Sequence, residues 1–97
     1  MNTKNEIIEY FEATSLTDEE KAYWIGLSFE LLELIDQWDG ERPTTLKNLF
    51  PEKRRNSIPS GDHYRFGRHV SALVKLNVLP IKHSGKHGNT HLYIKIQ

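Results

Sequence analysis

The 97-residue sequence contains no cysteine, a single methionine and no long apolar run. Without cysteine, the chain can form no disulfide and offers no thiolate ligand to zinc. No stretch approaches the ~18–20 consecutive apolar residues that span a membrane, and the opening residues MNTKN lack the apolar core of a secretion signal. The length favours one domain over residues 1–97, with apolar residues for one modest core. We therefore expect a soluble, cytoplasmic, single-domain protein without membrane contact.

Basic residues are scarce in the first part of the chain. The first 41 residues contain two basic and eleven acidic side chains, a net charge of −9. The remainder contains eleven basic and two acidic side chains, a net charge of +9, together with all five histidines. A basic segment of this kind indicates contact with nucleic acid or a membrane surface. The alternative is that the two oppositely charged halves attract each other within the domain.

Two helices are predicted in the acidic part. The Thr3–Glu6 spacing suggests a capping box and a short helix to about Thr14, so residues 1–16 form a helical extension. A second capping box at Thr17 begins a helix over 18–38, which Gly40 ends. Its apolar stripe is broad, so either the short helix or a second subunit covers part of it. The candidate surface for a homodimer or another protein partner contains Trp24, Leu31 and Trp38.

Turn residues and apolar periodicity define the rest of the chain. The predicted elements are a short helix to Phe50 capped by Thr44 or Thr45, a loop over 52–61, a helix over 62–76 that ends at a left-handed Asn77, a strand over 78–82, a turn over 84–89 and a strand over 91–96.

This order of elements is typical of an α+β winged helix-turn-helix domain. The expected fold is a three-helix core and a C-terminal β-hairpin wing, over residues 17–97 with the wing at 78–96, preceded by the extra short N-terminal helix. In such a domain the helix near 62–76 lies in the major groove of DNA and the wing touches the neighbouring backbone. The predicted partner is therefore double-stranded DNA. Charge alone does not separate DNA from RNA, but the deep, narrow groove of A-form RNA suits an entering helix less well.

The predicted contact residues fall into two groups by their chemistry. Arg65 and Arg68 are expected to read base edges, because the arginine fork matches the two acceptors of guanine. His69, Ala72 and Lys75 border or share their helix face. The residues expected to neutralise phosphates are Lys53, Arg54, Arg55, Lys82, Lys86 and the wing-tip His87. Tyr93 is expected to face outward, where it either packs on a sugar or is an ordinary strand residue.

The other chemistry considered is metal binding and catalysis. His83, His87 and His91 are spaced four apart, and symmetric pairing about His87 places His83 opposite His91. Because no cysteine or carboxylate completes a ligand set, we expect no metal and instead partial protonation near pH 6–7 that strengthens phosphate contact. Acidic residues such as Glu30 are expected on the solvated side of their helix. The sequence thus indicates no enzyme and no cofactor.

The segment FGRHVSAL at 66–73, followed by a basic hairpin ending HLYIKI at 91–96, resembles the C-terminal winged-helix domains of phage- and plasmid-type primase–helicases. The resemblance covers residues 44–96. It implies DNA binding in replication or regulation of a mobile element, with Arg68 matching the arginine of the motif. The sequence has no Walker-type loop, so ATP hydrolysis is not implied. The rival function is a protein-interaction module that uses the acidic, aromatic N-terminal helices.

Overall fold

The computed structural model describes residues 2–96, which form an α+β fold of five helices and one two-stranded antiparallel hairpin. The expected α+β class is confirmed. The elements in chain order are α1 (Thr3–Glu12), α2 (Asp18–Gln37), α3 (Leu46–Leu49), α4 (Glu52–Ser57), α5 (Ser60–Lys75), β1 (Ile81–His87) and β2 (Thr90–Lys95).

The helix starts follow local hydrogen-bonding chemistry. The capping box of α2 is confirmed, since the Thr17 hydroxyl accepts from the Glu20 amide at 3.2 Å and the Glu20 carboxylate accepts from the Thr17 amide at 3.3 Å. In α1 the expected capping box is wrong, because Asn2 rather than Thr3 is the N-cap and accepts from two following amides. Thr45 caps α3.

The segment predicted as a loop over 52–61 is instead helical at its start, and that prediction is wrong. Pro51 precedes α4 with φ −55°, a value already suited to a helix. The Arg55 guanidinium then binds the carbonyl oxygens of Lys47 at 2.9 Å and Phe50 at 3.1 Å. This contact ties α4 to α3 and stabilises a helix too short to show apolar periodicity.

The helix predicted over 62–76 is confirmed in type and begins slightly earlier, directly after Pro59. Asn77, with φ 61°, has the left-handed backbone predicted for the residue that ends this helix.

The hairpin is longer than predicted and its turn is shorter. Residues predicted as turn over 84–89 belong largely to β1, and only two residues separate the strands. The pairing shifts between His83 and Gly85, where Ser84 is an extra residue in β1. Gly85, at φ 114°, adopts a backbone conformation that side-chain-bearing residues avoid, so it accommodates this bulge.

The core lies between α1, α2, α5 and the hairpin. The Trp24 and Phe66 rings are parallel within 7°, with centroids 6.2 Å apart. Ile7 and Phe11 of α1 are fully buried against α2, so the short helix covers the broad stripe of α2. Of the two alternatives predicted, burial by the short helix or by a second subunit, the structure shows the first.

Two of the three residues named for a partner surface on α2 lie in the core. Trp24 is 4% exposed and Leu31 is fully buried, while Trp38 is partly buried against the core. The amphipathic pattern of α2 could not distinguish burial by α1 from burial by another subunit. Among the helices of residues 2–96, none combines the length and apolarity needed to cross a membrane.

The C-terminal strand is fastened to the end of α2. The Lys95 ammonium donates to the carbonyl oxygen of Trp38 at 2.9 Å and to that of Asp36 at 3.3 Å. The C-terminal end of a helix carries a partial negative charge, which stabilises a cation at this position. Gly40 allows the close approach, because its φ is 72° and a Cβ there would collide with the Cβ of Lys95.

Candidate nucleic-acid interface

One face of α5 is basic and exposed, and the opposite face is buried. Over 16 residues the helix is about 24 Å long. Arg65, Arg68 and Lys75 are exposed on one side, with the smaller Ala72 half-buried among them. The buried side consists of Phe66, Val70, Leu73 and Val74. The predicted separation of the two stripes is confirmed.

The basic residues of this face differ in their neighbours. Arg65 lies 3.7 Å from the Asp62 carboxylate, which also accepts a hydrogen bond from the Tyr23 hydroxyl at 2.8 Å. The pKa of Tyr23 is raised by burial and by that contact. Within residues 2–96, Arg68 and Lys75 have no carboxylate inside 4.0 Å. Both cationic groups are therefore open to an external anion.

His69 does not belong to this face, contrary to the prediction. Its Nδ1 lies 3.0 Å from the Tyr10 hydroxyl, and its ring packs against Phe11 and Trp24 at centroid distances of 5.1 and 5.6 Å. Burial lowers the pKa of His69, and the nearby Arg68 lowers it further. The sequence of α5 alone could not reveal this position, because α1 covers that edge of the helix.

Two members of the predicted phosphate-binding cluster have partners inside the protein. The Arg54 Nε and Nη2 atoms donate to Glu30 at 2.8 and 3.1 Å, and this hydrogen bonding raises the pKa of Arg54. Glu30 was expected to be merely solvated. Arg55 is engaged by the carbonyl oxygens at the end of α3. Lys53 of the same cluster remains exposed.

The bulge divides the basic residues of the hairpin between its two faces. Lys86 is paired with His91, and His83 with Tyr93, and paired residues point to the same side of a hairpin. These four side chains therefore share the face toward α5. Lys82 and His87 lie on the other face, and both are exposed.

Tyr93 is buried, so the expectation that it faces outward is wrong. It is 1% exposed and burial raises its pKa. Its backbone exchanges hydrogen bonds of 3.0 and 2.8 Å with Thr44, which places β2 between Thr44 and β1. Ile96, the residue after β2, is 48% exposed. Alternation along β2 defines two faces, but the contact with Thr44 and α5 decides which one is buried.

The wing histidines also pair differently from the prediction. His83 lies opposite Tyr93 rather than His91, because the turn is centred on Gly88 and Asn89 rather than on His87. The rings of His83 and His91 are nevertheless adjacent, with centroids 4.9 Å apart. Within residues 2–96, no group of three or more histidine, cysteine, aspartate or glutamate residues is arranged to hold a metal ion.

Comparison with known proteins identifies no relative. No protein-family model matches the chain, and neither a curated protein nor a solved structure matches it. The likeness to primase–helicase domains therefore stays a prediction from the sequence motif. We base the function on the exposed side chains of α5 and the hairpin.

Proposed function

We propose that this protein is a winged-helix domain that binds double-stranded DNA through α5 and the hairpin. The observation that carries the proposal is the exposed basic row of Arg65, Arg68 and Lys75 beside the exposed hairpin residue Lys86. The order of helices, the short pairing of Thr44 with β2 and the projecting hairpin are compatible with a winged helix.

The dimensions of α5 suit a major groove. A helix is about 10–12 Å wide with its side chains, and the major groove of B-DNA is about 12 Å wide. Arg65 and Lys75 are separated by about 15 Å along the helix axis. Half-buried Ala72 between them leaves room for close approach to a base edge or the backbone.

The basic side chains divide into two roles by their position. Arg65 and Arg68 are proposed to read bases, because they project from the middle of the exposed helix face and arginine binds guanine with two hydrogen bonds. Lys53, Lys75, Lys82 and Lys86 are proposed to contact phosphates, which gives affinity without sequence preference.

The neutral net charge is compatible with this function because the charges are separated along the chain. The acidic helices α1 and α2 contain nine of the thirteen acidic residues, and α5 and the hairpin carry an exposed basic surface. A polyanion is thus attracted to one end and repelled by the other, so binding should be oriented. Non-specific affinity should be weak for a DNA-binding protein. A role in replication or regulation of a mobile element is the setting that the sequence motif suggests.

The rival function, a protein-interaction module on the N-terminal helices, has less support. Trp24 and Leu31 are used in the core. The large exposed apolar residues of residues 2–96 are Tyr23, Tyr64, Leu76 and Ile96, of which Tyr64 and Leu76 lie toward opposite ends of α5.

The test is equilibrium binding of a duplex of mixed sequence, measured by fluorescence anisotropy between 50 and 200 mM salt. The logarithm of the affinity should fall with the logarithm of salt concentration, with a slope of about −0.9 for each phosphate contacted. The double variant Arg65→Gln/Arg68→Gln should lose at least about tenfold in affinity and keep its melting temperature. The matched control, Lys4→Gln/Lys21→Gln, removes the same charge from the acidic end and should bind like the wild type.

Two results would overturn the proposal in different ways. Wild-type affinity in the arginine double variant would exclude α5 as the contact. Absence of binding to any duplex at 50 mM salt would exclude DNA binding itself, and a higher solution mass at the same salt would then favour the interaction module.

A further inference from the structure

A second cationic feature lies between the C-terminal half of α5 and the hairpin. This cleft, of about 360 Å³, is lined by Ser71, Lys75, His83, Gly85, Lys86 and His91. We call it the bulge cleft. Because one water occupies about 30 Å³ in the liquid, the space accommodates a phosphate group with several waters.

The β-bulge determines which side chains reach the cleft. In an uninterrupted strand, His83 and His87 would share a face and Lys86 would point the other way. The extra residue Ser84 shifts the alternation by one, so that His83 and Lys86 both face α5. His91, the pairing partner of Lys86, joins them from β2.

The helix supplies the opposite wall of the cleft. Ser71 and Lys75 are one turn apart on α5 and therefore project from the same side. The Ser71 hydroxyl oxygen lies 3.5 Å from Nε2 of His83, at the outer limit of a hydrogen bond. Gly85 is exposed at the rim and has no side chain to obstruct entry.

Among residues 2–96, no acidic residue lines the bulge cleft. Two ammonium groups, two imidazoles and one hydroxyl converge there. Within residues 2–96, neither Lys75 nor Lys86 has a carboxylate within 4.0 Å. Lysine only donates hydrogen bonds, and serine and histidine can also donate. This lining matches an oxyanion, whereas the lysines would repel a metal cation.

The electrostatics of His83 agree with this assignment. Burial lowers its pKa, and the neighbouring His91, Lys75 and Lys86 lower it further. The other groups facing it are the Ser71 hydroxyl on α5 and the ring of Tyr93, whose centroid lies 4.8 Å away. An anion in the cleft would offset the repulsion among the cations and favour protonation of His83.

We infer that the bulge cleft is a phosphate-binding site, which seats one backbone phosphate of a DNA duplex held by α5 and the hairpin. That this phosphate belongs to DNA rests on the proposed function. The chemistry of the site is that of a phosphate oxyanion, so inorganic phosphate is a second source. A phosphate bound here takes hydrogen bonds from both α5 and the wing.

The first experiment titrates inorganic phosphate into the full chain near pH 6.5 and follows the imidazole C–H resonances by NMR. The signals of His83 and His91 should move in a saturable way, and those of the exposed His87 should move far less. Lys86→Gln, an exposed substitution, should weaken this response without changing the melting temperature. Equal small shifts of all three histidines would overturn the site.

The second experiment measures duplex affinity between pH 8 and pH 5.5 at constant salt. Wild-type affinity should rise by about fivefold toward acid pH, the effect of one additional charged contact near a surface. His83→Gln should remove most of this rise. His87→Gln is the matched comparison: this histidine lies on the other face of the same hairpin, so its loss should remove less of the rise than the loss of His83.

The outcomes separate the site from the proposed function. A saturable phosphate response without any duplex binding would keep the site and reject DNA as its source. Duplex binding that depends on Arg65 and Arg68, with an unchanged pH profile in His83→Gln and unchanged affinity in Lys86→Gln, would reject the site and keep the function. If His83→Gln unfolds, Lys75→Gln provides the second variant, and wild-type affinity in both lysine variants would likewise reject the site.

Discussion

Arg54 and Glu30 form a two-point ion pair, with Nε to Oε1 at 2.8 Å and Nη2 to Oε2 at 3.1 Å. The pair joins basic α4 to acidic α2, so some of the oppositely charged residues of the two parts of the chain bind each other within the domain. Lys95 likewise binds backbone carbonyl oxygens at the end of α2. Some basic residues therefore have a structural role, because they bind the acidic half of the chain. Arg68, Lys75 and Lys86 instead face solvent.

The Arg54–Glu30 pair should contribute modestly to stability. Urea unfolding of Arg54→Gln, Glu30→Gln and the double variant should give a coupling free energy of about 0.5–1 kcal/mol, because both side chains are partly solvated. The double variant keeps the net charge and should bind duplex like the wild type. A marked loss of duplex affinity in the double variant would instead indicate that Arg54 contacts DNA.

Trp24 should behave as a core residue rather than a partner contact. Trp24→Phe replaces the indole that lies parallel to the Phe66 ring with a smaller phenyl ring. We expect a loss of about 1–3 kcal/mol in the free energy of unfolding. The remaining Trp38 reports the transition by fluorescence. Unchanged stability together with a changed solution mass would instead indicate that Trp24 lies in a subunit interface.

A side chain at Gly40 should destabilise the fold. Gly40→Ala combines a backbone at φ 72° with a collision against Lys95, so we expect a loss of about 1–3 kcal/mol. Gly26 provides the control, because a Cβ there meets nothing within 4 Å and the residue lies inside α2. Gly26→Ala should stabilise by up to about 1 kcal/mol. Similar melting temperatures for the two variants would contradict this account.

The protein should lose stability in mild acid because of His69. Its pKa in the folded state is lowered from 6.5 by burial, so the unfolded chain binds more protons as the pH falls through 6.5. The free energy of unfolding is therefore highest above that pH and decreases toward the lowered pKa. Melting temperatures measured from pH 7.5 to 5 should show this decline.

His69→Gln should reduce the acid decline, leaving the contribution from His83, whose pKa is also lowered. Tyr10→Phe removes the hydrogen bond to His69 but leaves its burial, and should keep the decline. An identical pH profile in His69→Gln and the wild type would exclude His69 as its source.

The elements predicted well are those determined by neighbours along the chain. The start of α2 depends on Thr17 and Glu20, the face of α5 on apolar residues three and four apart, and the end of α5 on Asn77. Each of these signals lies within a few residues of its effect. The basic stripe of α5 was predictable for the same reason.

The features that the sequence did not reveal depend on distant partners. His69 meets Tyr10 from 59 positions away, and Arg54 meets Glu30 from 24 positions away. The inward side of Tyr93 depends on Thr44, and the convergence of His83 with Lys86 depends on a bulge that periodicity along β1 does not indicate.

The sequence by itself determined the main helices, their apolar and basic faces, and the presence of a hairpin after α5, because capping and periodicity are local. Only the tertiary structure decided which cations remain exposed and which are paired, because that choice depends on the packing of α1, α2 and α4 around α5. The residues that form the candidate interface are those that this packing left facing solvent.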